Sequence, residues 1–257
     1  QAVEILLKKL HAAVSEAEAM VEWIAAIELP DQAQDFTSVG LTAPASGYAI
    51  EDGVLATSSG LMLQPDQYEQ YFEEHHVPHS TALWSQLQGK PYLVGPLARL
   101  NLNHGLLHGE NARLFARFAS RFPSKNMFDS MLARGLEICF ALQAAVDILE
   151  AYRLPDEAAV PVRALASEGY GWSEAPRGLL WHHYQLDDDG VVRKARIVPP
   201  TSQNQARIEQ DLHQSLLAYG LDHSEDELRL LCEKVVRNYD PCISCATHFL
   251  KLTVSRQ

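Results

Sequence analysis

Apolar side chains at Val3, Leu6, Leu10, Val14, Ala17, Val21 and Ile24 recur at steps of three and four, which predicts a core-facing helix that stops before Pro30. From Asp31 to Asn103 the pattern breaks into short runs punctuated by Gly40, Pro44, Gly47, Gly53, Gly60, Pro65 and Pro91. Within it, Tyr48 to Thr57 around Asp52-Gly53 reads as a hairpin, because that pair tolerates the positive φ of a tight turn. Helical periodicity returns from His104 to Phe122. After Pro123 it is stronger, with Met127, Met131, Gly135, Ile138, Leu142, Ala145 and Leu149 on one stripe and Cys139 beside it as a buried structural thiol. Two apolar strands between Arg177 and Pro200 flank Asp187-Asp188-Asp189-Gly190, a second hairpin signature. Gln203 to Tyr219 reads as a helix. Ser224 and Glu227 form a capping box that opens another, whose apolar residues Leu228, Leu231 and Val235 run into Tyr239. Without internal repeats or a low-complexity linker, the pattern predicts one unit, mainly α with small β-hairpins (α+β).

Composition narrows the function classes. The 257 residues hold 33 acidic and 21 basic side chains, a net charge of −12 that argues against nucleic-acid or anionic-membrane partners. At 47% hydrophobic, the chain has enough apolar material for a packed core, which excludes wholesale disorder. The most apolar stretch, Leu136 to Tyr152, is interrupted by Glu137, Asp147 and Glu150, so no membrane span is expected. Gln1 leads straight into a helical pattern with no initiator Met or signal sequence, which suggests a piece of a longer protein. Four cysteines, unevenly placed, suggest a reducing compartment and one specialised pair.

That pair lies in Asp240-Pro-Cys-Ile-Ser-Cys-Ala-Thr-His248, a C-x-x-C-x-x-H cluster. Two cysteines three apart can turn both sulfurs toward one soft metal, while Pro241 is expected to hold Asp240 extended. Spacing alone fits several chemistries. A structural zinc site wants four ligands, and there is no second C-x-x-C; His182 and His183 are distant. A thioredoxin-type dithiol wants its cysteines after a strand, whereas these follow a helical stretch. Cys232 reads as core. Gly169-Tyr-Gly-Trp-Ser-Glu174 starts like a dinucleotide loop but lacks the third glycine, and neither a G-x-x-x-x-G-K-[ST] loop nor a G-x-S-x-G anchor occurs. The adjacent pairs His75-His76 and His182-His183 would point to opposite faces of a strand.

In wording and order, four segments resemble nickel-iron hydrogenase large (alpha) subunits: Gly95-Pro-Leu-Ala-Arg-Leu-Asn101, Glu174-Ala-Pro-Arg-Gly-Leu-Leu-Trp-His-His-Tyr184, Pro199-Pro-Thr-Ser-Gln-Asn204 and Asp240 to His248. The nearest branch is the cytosolic NAD(P)-linked bidirectional hydrogenases and sulfhydrogenases. The resemblance implies a large-subunit-like helical core and reversible heterolytic cleavage of dihydrogen, with Cys242 one candidate proton acceptor. It implies that Cys242 is a terminal nickel ligand and Cys245 a thiolate bridging nickel to an iron that carries carbon monoxide and cyanide. Pro176 and Arg177 would wall the diatomic ligands, Thr201 would bond a cyanide, and Arg177 and Asp240 would form a buried pair above the metals. His248 would end the mature protein near a magnesium site, so that residues 249–257 become a tail for a maturation protease. Electrons would pass to iron-sulfur clusters in a small subunit and to NAD(P) on a flavin subunit, in the cytoplasm. The family's N-terminal C-x-x-C and proton-relaying glutamate have no match, so residues 1–257 are expected to be the C-terminal portion of such a subunit, inactive in isolation. The competing readings are a complex I quinone-site relative, which lacks the metal-binding cysteines, and a zinc-binding non-catalytic or assembly protein.

Overall fold

A computed structural model describes residues 2–43, 45 and 47–242. In chain order the elements are α1 (Ala2–Ala25), β1 (Val39–Thr42), β2 (Val54–Thr57), β3 (Met62–Leu63), α2 (Tyr68–Tyr71), β4 (Phe72–His76), β5 (Leu83–Leu87), α3 (Pro96–Asn103), α4 (Gly109–Ala116), α5 (Ser130–Ala151), β6 (Ser167–Ala175), β7 (Gly178–Leu186), β8 (Val192–Val198), α6 (Pro200–Tyr219) and α7 (Glu225–Arg237). Among the described residues the strands form three small antiparallel sheets, ordered β1-β2-β3, β4-β5 and β6-β7-β8. The mixed α+β class agrees with the hydrophobic pattern, and no helix among the described residues is long and apolar enough to cross a membrane.

Two apolar cores divide the interior. One lies among the helices, with Val21, Ile24, Leu97, Leu100, Leu132, Leu136 and Ile208; the other joins the sheets through Val39, Leu41, Leu55, Phe72, Leu179, Trp181 and Val198. Helix α1 packs on α5 where Gly135 leaves room: a Cβ there would lie 3.3 Å from both Val21 and Ile24 side-chain carbons. Only the C-terminal half of the α1 stripe reaches the core. Ala17, Val21 and Ile24 are buried, while Leu6 is 49% exposed, which departs from a helix facing the core along its length.

Other departures have local causes. The first hairpin pairs β1 with β2, so Tyr48 to Gly53 is a connection and not a strand. Longer-range bonds draw it toward the helices: the Tyr48 hydroxyl donates to Glu137 at 2.6 Å, and the Ile50 carbonyl accepts from the Glu174 amide at 2.7 Å. The helical run from His104 to Phe122 is cut into a 3-10 turn (His104–Leu106), α4 and a second turn (Ala119–Arg121), with the helix start Gly109 at φ +58°. Strand β6 has no alternating signature in its exposed half, where Gly169 and Gly171 interrupt the side-chain pattern. The capping box of α7 forms as expected, Glu227 N donating to Ser224 Oγ while the Glu227 carboxylate accepts from Ser224 N.

The tightest joint lies between α3 and β7. Gly95 caps α3 at φ +110°, and a Cβ on it would sit 2.8 Å from the Arg177 carbonyl oxygen. Opposite it, Gly178 has φ +137°, and its Cβ would meet Val94 Cγ2 at 2.5 Å and Gly95 N at 2.9 Å. Both positions combine a backbone region that L residues avoid with backbone contact. Gly95→Ala is expected to destabilise the protein by about 2 kcal/mol or more, the strain of such a conformation plus the clash, read as a lower denaturant midpoint.

Candidate functional site

Four segments that lie far apart in sequence converge at the joint between α3, β7, α6 and the end of α7. The start of α3 grips residues 175–178. Arg99, one turn into the helix with its amide on the Gly95 carbonyl (2.9 Å), reaches back with its guanidinium to the carbonyls of Ala175 (2.9 Å) and Pro176 (3.1 Å). Its remaining donors go to carboxylates. Nε and Nη2 fork onto Glu137 at 2.7 and 2.6 Å, and Nη1 bonds Glu174 at 2.8 Å. All five N–H groups are thereby used in a side chain only 2% exposed.

The charges hold one another. Burial pulls the Arg99 pKa down, but Glu137 and Glu174 outweigh it and place it well above the ordinary value. Burial likewise raises the Glu174 carboxyl, opposed by Arg99 and by the Leu41 amide, which donates to Glu174 at 2.8 Å. Tyr48 is pushed well up by burial and then by Glu137, so its hydroxyl remains a donor. Tyr48, Arg99, Glu137, Glu174 and Pro176 line a cleft of about 720 Å³ together with Ile138 and Phe140 of α5. Periodicity and spacing assign this network no role; the one signal was that Arg99 and Glu174 fall inside motif segments.

Helix α6 is anchored by the polar residues of its first turns. Asn204 accepts from Val94 N at 3.0 Å and donates to Val94 O at 3.1 Å, replacing a strand partner for that residue. Gln203 donates to Leu179 O at 2.5 Å and accepts from the Tyr92 hydroxyl at 3.2 Å. Thr201, buried, accepts from the Cys242 amide at 3.3 Å, which leaves the threonine O–H able to donate elsewhere.

Helix α7 delivers the fourth segment. The Asn238 carbonyl accepts from Ser130 Oγ (2.7 Å) and Arg134 Nη2 (3.1 Å), and the Tyr239 hydroxyl donates to Asp211 (3.0 Å). Asp240 then turns the chain at φ +47°, where the proline rule alone predicts an extended residue. The helix end explains this: the Asn238, Tyr239 and Asp240 amides each bond a carbonyl three residues back, and a left-handed residue closes such an end. Asp and Asn tolerate that region better than most residues.

The predicted pair of Arg177 and Asp240 forms, with Arg177 Nε 3.3 Å from Asp240 Oδ2 and donating to Asp240 O at 2.5 Å. It is not buried in this chain. The two side chains are 38% and 45% exposed, so the cost attached to a broken buried pair does not apply to it here. Pro176, Arg177, Thr201, Asp240 and Cys242 are brought together, whereas Cys245, His248 and the tail 249–257 lie outside the described residues. Among the described residues no group of three or more His, Cys, Asp and Glu side chains could hold a metal ion.

The donor chemistry at this place nevertheless suits a soft metal: Cys242 is a half-buried thiol whose amide bonds the Thr201 hydroxyl, two residues after the Asp240 that pairs with Arg177. The other two described thiols do not compete. Cys139 is buried, its pKa raised to about 11 by desolvation and then by Glu18, and Cys232 is buried with its pKa raised by desolvation. His183, 1% exposed on β7, bonds Glu168 at 2.7 Å, while neighbouring His182 takes the other face, as their adjacency predicts.

Comparison with known proteins places this geometry in context. The model of the nickel-dependent hydrogenase family matches residues 68–248. Sulfhydrogenase 1 subunit alpha of Pyrococcus furiosus is 30% identical over 253 residues, covering 97% of this chain and 59% of that protein. The beta subunit of the NAD-reducing hydrogenase HoxS of Cupriavidus necator is 31% identical, covering 71% and 41%. The crystal structure of an NAD+-reducing NiFe hydrogenase in its H2-reduced state superposes with a TM-score of 0.78 at 26% identity, over 96% of this chain and 59% of that one. The chain thus spans about half the length of these relatives.

Asn204→Leu would strand the Val94 amide and carbonyl in a buried place. The expected cost is about 2–4 kcal/mol, from two unsatisfied backbone groups, seen as a fall in the denaturant midpoint. An unchanged midpoint would mean that α6 is held here by packing alone.

Proposed function

The chain belongs to the nickel-dependent hydrogenase family, and on that premise we propose that it forms the metal-holding part of a catalytic large subunit that splits dihydrogen reversibly into protons and electrons. The observation that carries the reading is the convergence of Arg177, Asp240, Thr201 and Cys242, from three distant segments, at one half-open site. A zinc-binding assembly protein would have no use for a guanidinium and a hydroxyl arranged beside its cysteine.

Cys242 and Cys245 would hold the nickel-iron centre, whose iron would carry carbon monoxide and cyanide. When bound, that centre supplies a soft, thiolate-ligated pair of metals at which dihydrogen is polarised. The protein's own residues do the rest. Thr201 fixes the Cys242 backbone through its oxygen and keeps its O–H for a cyanide nitrogen. Pro176, exposed at the edge of the site, would present an apolar face to the diatomic ligands. Among the described residues, Arg177 has its Nε committed to Asp240, which leaves the two terminal amino groups of the fork for the site. Asp240 orients that fork, and Cys242 Sγ would take up the proton as a thiolate.

Electrons leave through iron-sulfur clusters of a small subunit and reduce NAD(P) on a flavin subunit, in a cytoplasmic assembly. His248 contributes to a magnesium site, and a maturation protease removes residues 249–257. The NAD-reducing relatives support this branch of the reading.

An infrared spectrum of the subunit purified with its partners is expected to show metal-bound carbon monoxide and cyanide stretches. Their absence, together with stoichiometric zinc, would overturn the reading in favour of a zinc protein. Arg177→Lys keeps the charge but loses the planar fork, so hydrogen turnover should fall about tenfold or more with nickel content unchanged, the equivalent of one charge-assisted hydrogen bond. Unaltered turnover would reduce the Arg177–Asp240 contact to a tie between two segments.

A further inference from the structure

We propose that Arg99 is a positioning residue for hydrogen cleavage: it fixes the peptide planes that carry Pro176 and Arg177 and so sets where the Arg177 fork stands. The inference rests on the function proposed above. Its basis is geometric. The Pro176 carbonyl, which belongs to the peptide leading into Arg177, accepts from Arg99 Nη2 at 3.1 Å, and the preceding Ala175 carbonyl accepts from Nη1 at 2.9 Å. On the far side of Arg177 its own carbonyl lies against Gly95, with no room even for a Cβ. Gly95 and Arg99 are the two ends of one helical turn, joined by the bond from Arg99 N to Gly95 O. That single turn therefore holds the backbone of Arg177 from both sides.

The side chain of Arg177, by contrast, is 38% exposed and meets Asp240 through Nε. Among the described residues, its placement is inherited from its backbone more than imposed by its surroundings. Arg99 can hold two carbonyls because its charge is neutralised elsewhere: three of its five N–H groups engage Glu137 and Glu174, and the other two remain for the peptide oxygens. Lysine has three donors on one nitrogen and cannot serve two carboxylates and two carbonyls in four directions. Glu137 is the adjustable member, since it is 13% exposed at the cleft and also accepts from Tyr48.

The test compares wild type, Arg99→Lys, Arg177→Lys and the double variant in the enzyme assembled with its partners. Nickel content, the infrared diatomic bands, kcat and KM for hydrogen are measured for each. Arg99→Lys should retain nickel but shift or broaden the diatomic bands and lower kcat roughly tenfold to a hundredfold, as small misplacements of a reacting group do, with KM little changed. In the Arg177→Lys background the same substitution should cost little more, because the fork it positions is gone. A merely structural role would give losses that multiply. Amide hydrogen exchange, which needs no metal, should quicken at Arg177 and Gly178 in Arg99→Lys while the α5 core amides keep their protection.

If Arg99→Lys does not fold, Glu137→Gln takes its place. It leaves Arg99 itself intact but replaces one of the two Glu137 oxygens with an amide NH2, so one of the two N–H groups that fork onto Glu137 loses its acceptor while those on Glu174 and the two carbonyls remain, and smaller shifts in the same direction are expected. Wild-type bands and kcat in whichever variant folds overturn the proposal while the hydrogenase reading stands. Multiplying losses in the double variant overturn it too. A wild-type enzyme without diatomic bands or hydrogen turnover overturns the hydrogenase reading itself and this inference with it.

Discussion

Backbone lies directly on backbone where Gly95 meets the Arg177 carbonyl and Gly178 meets Val94, and the other parts of the site take their positions from that contact. Such a joint has no side chain to compress or rotate. A shift of either strand of chain must be passed on, because a close-packed interior yields little. From this point α3 runs into the helical core through Leu97 and Leu100, and β7 runs into the sheet core through Leu179 and Trp181. The contact is thus the place at which the two apolar cores are registered against each other. Asn204 extends the registration to α6 by using both hydrogen-bonding groups of Val94.

The two arginines near this joint illustrate different uses of the same group. Arg99 is 2% exposed and has every donor engaged, which offsets a desolvation cost that would otherwise be several kcal/mol. A well-packed apolar replacement could stabilise the fold equally, so a buried charged network gives weak grounds for a stability role. What an apolar side chain could not do is hold two peptide oxygens in fixed directions. Arg177, at 38% exposed, contributes little to stability through Asp240, about 0–1 kcal/mol for a pair of that exposure. Among the described residues its fork is left with capacity for further hydrogen bonds.

Much of the helical frame was legible in the sequence. The three-and-four spacing located α1 and α5 within a few residues, Ser224 and Glu227 marked the start of α7, and Asp187 to Gly190 marked the β7–β8 turn. Those signals are local, written within one or two turns of chain. The first hairpin was misplaced because Tyr48 and Ile50 answer to Glu137 and Glu174, 89 and more residues away, and not to neighbouring strands. Strand β6 escaped because its glycines and solvent-exposed half carry no alternation. The Arg99 network is a set of contacts across 38 and 75 residues, which a single sequence does not display. The pairing of Arg177 with Asp240 was legible only through the resemblance of whole motif segments. Even so, its exposure and the left-handed turn at Asp240 depend on how α7 ends.

The motif segments themselves divide into two kinds of work. In Thr-Ser-Gln-Asn204, Thr201 is the residue that bonds the cysteine segment among the described residues; Gln203 and Asn204 spend hydrogen bonds on the backbone of Leu179 and Val94, and Ser202 on that of Pro199. These are neutral groups in a buried place, where leaving a peptide N–H or carbonyl unpaired costs about 1–3 kcal/mol each. Conventional strand pairing cannot satisfy Val94, because Gly95 must turn away into α3 at positive φ. Amide side chains from α6 supply what a neighbouring strand would have supplied. The polar wording of that segment is therefore set by the glycine joint as much as by the chemistry beside it. Thr201 reaches Cys242 because the two amides that follow it hold the helix start in place.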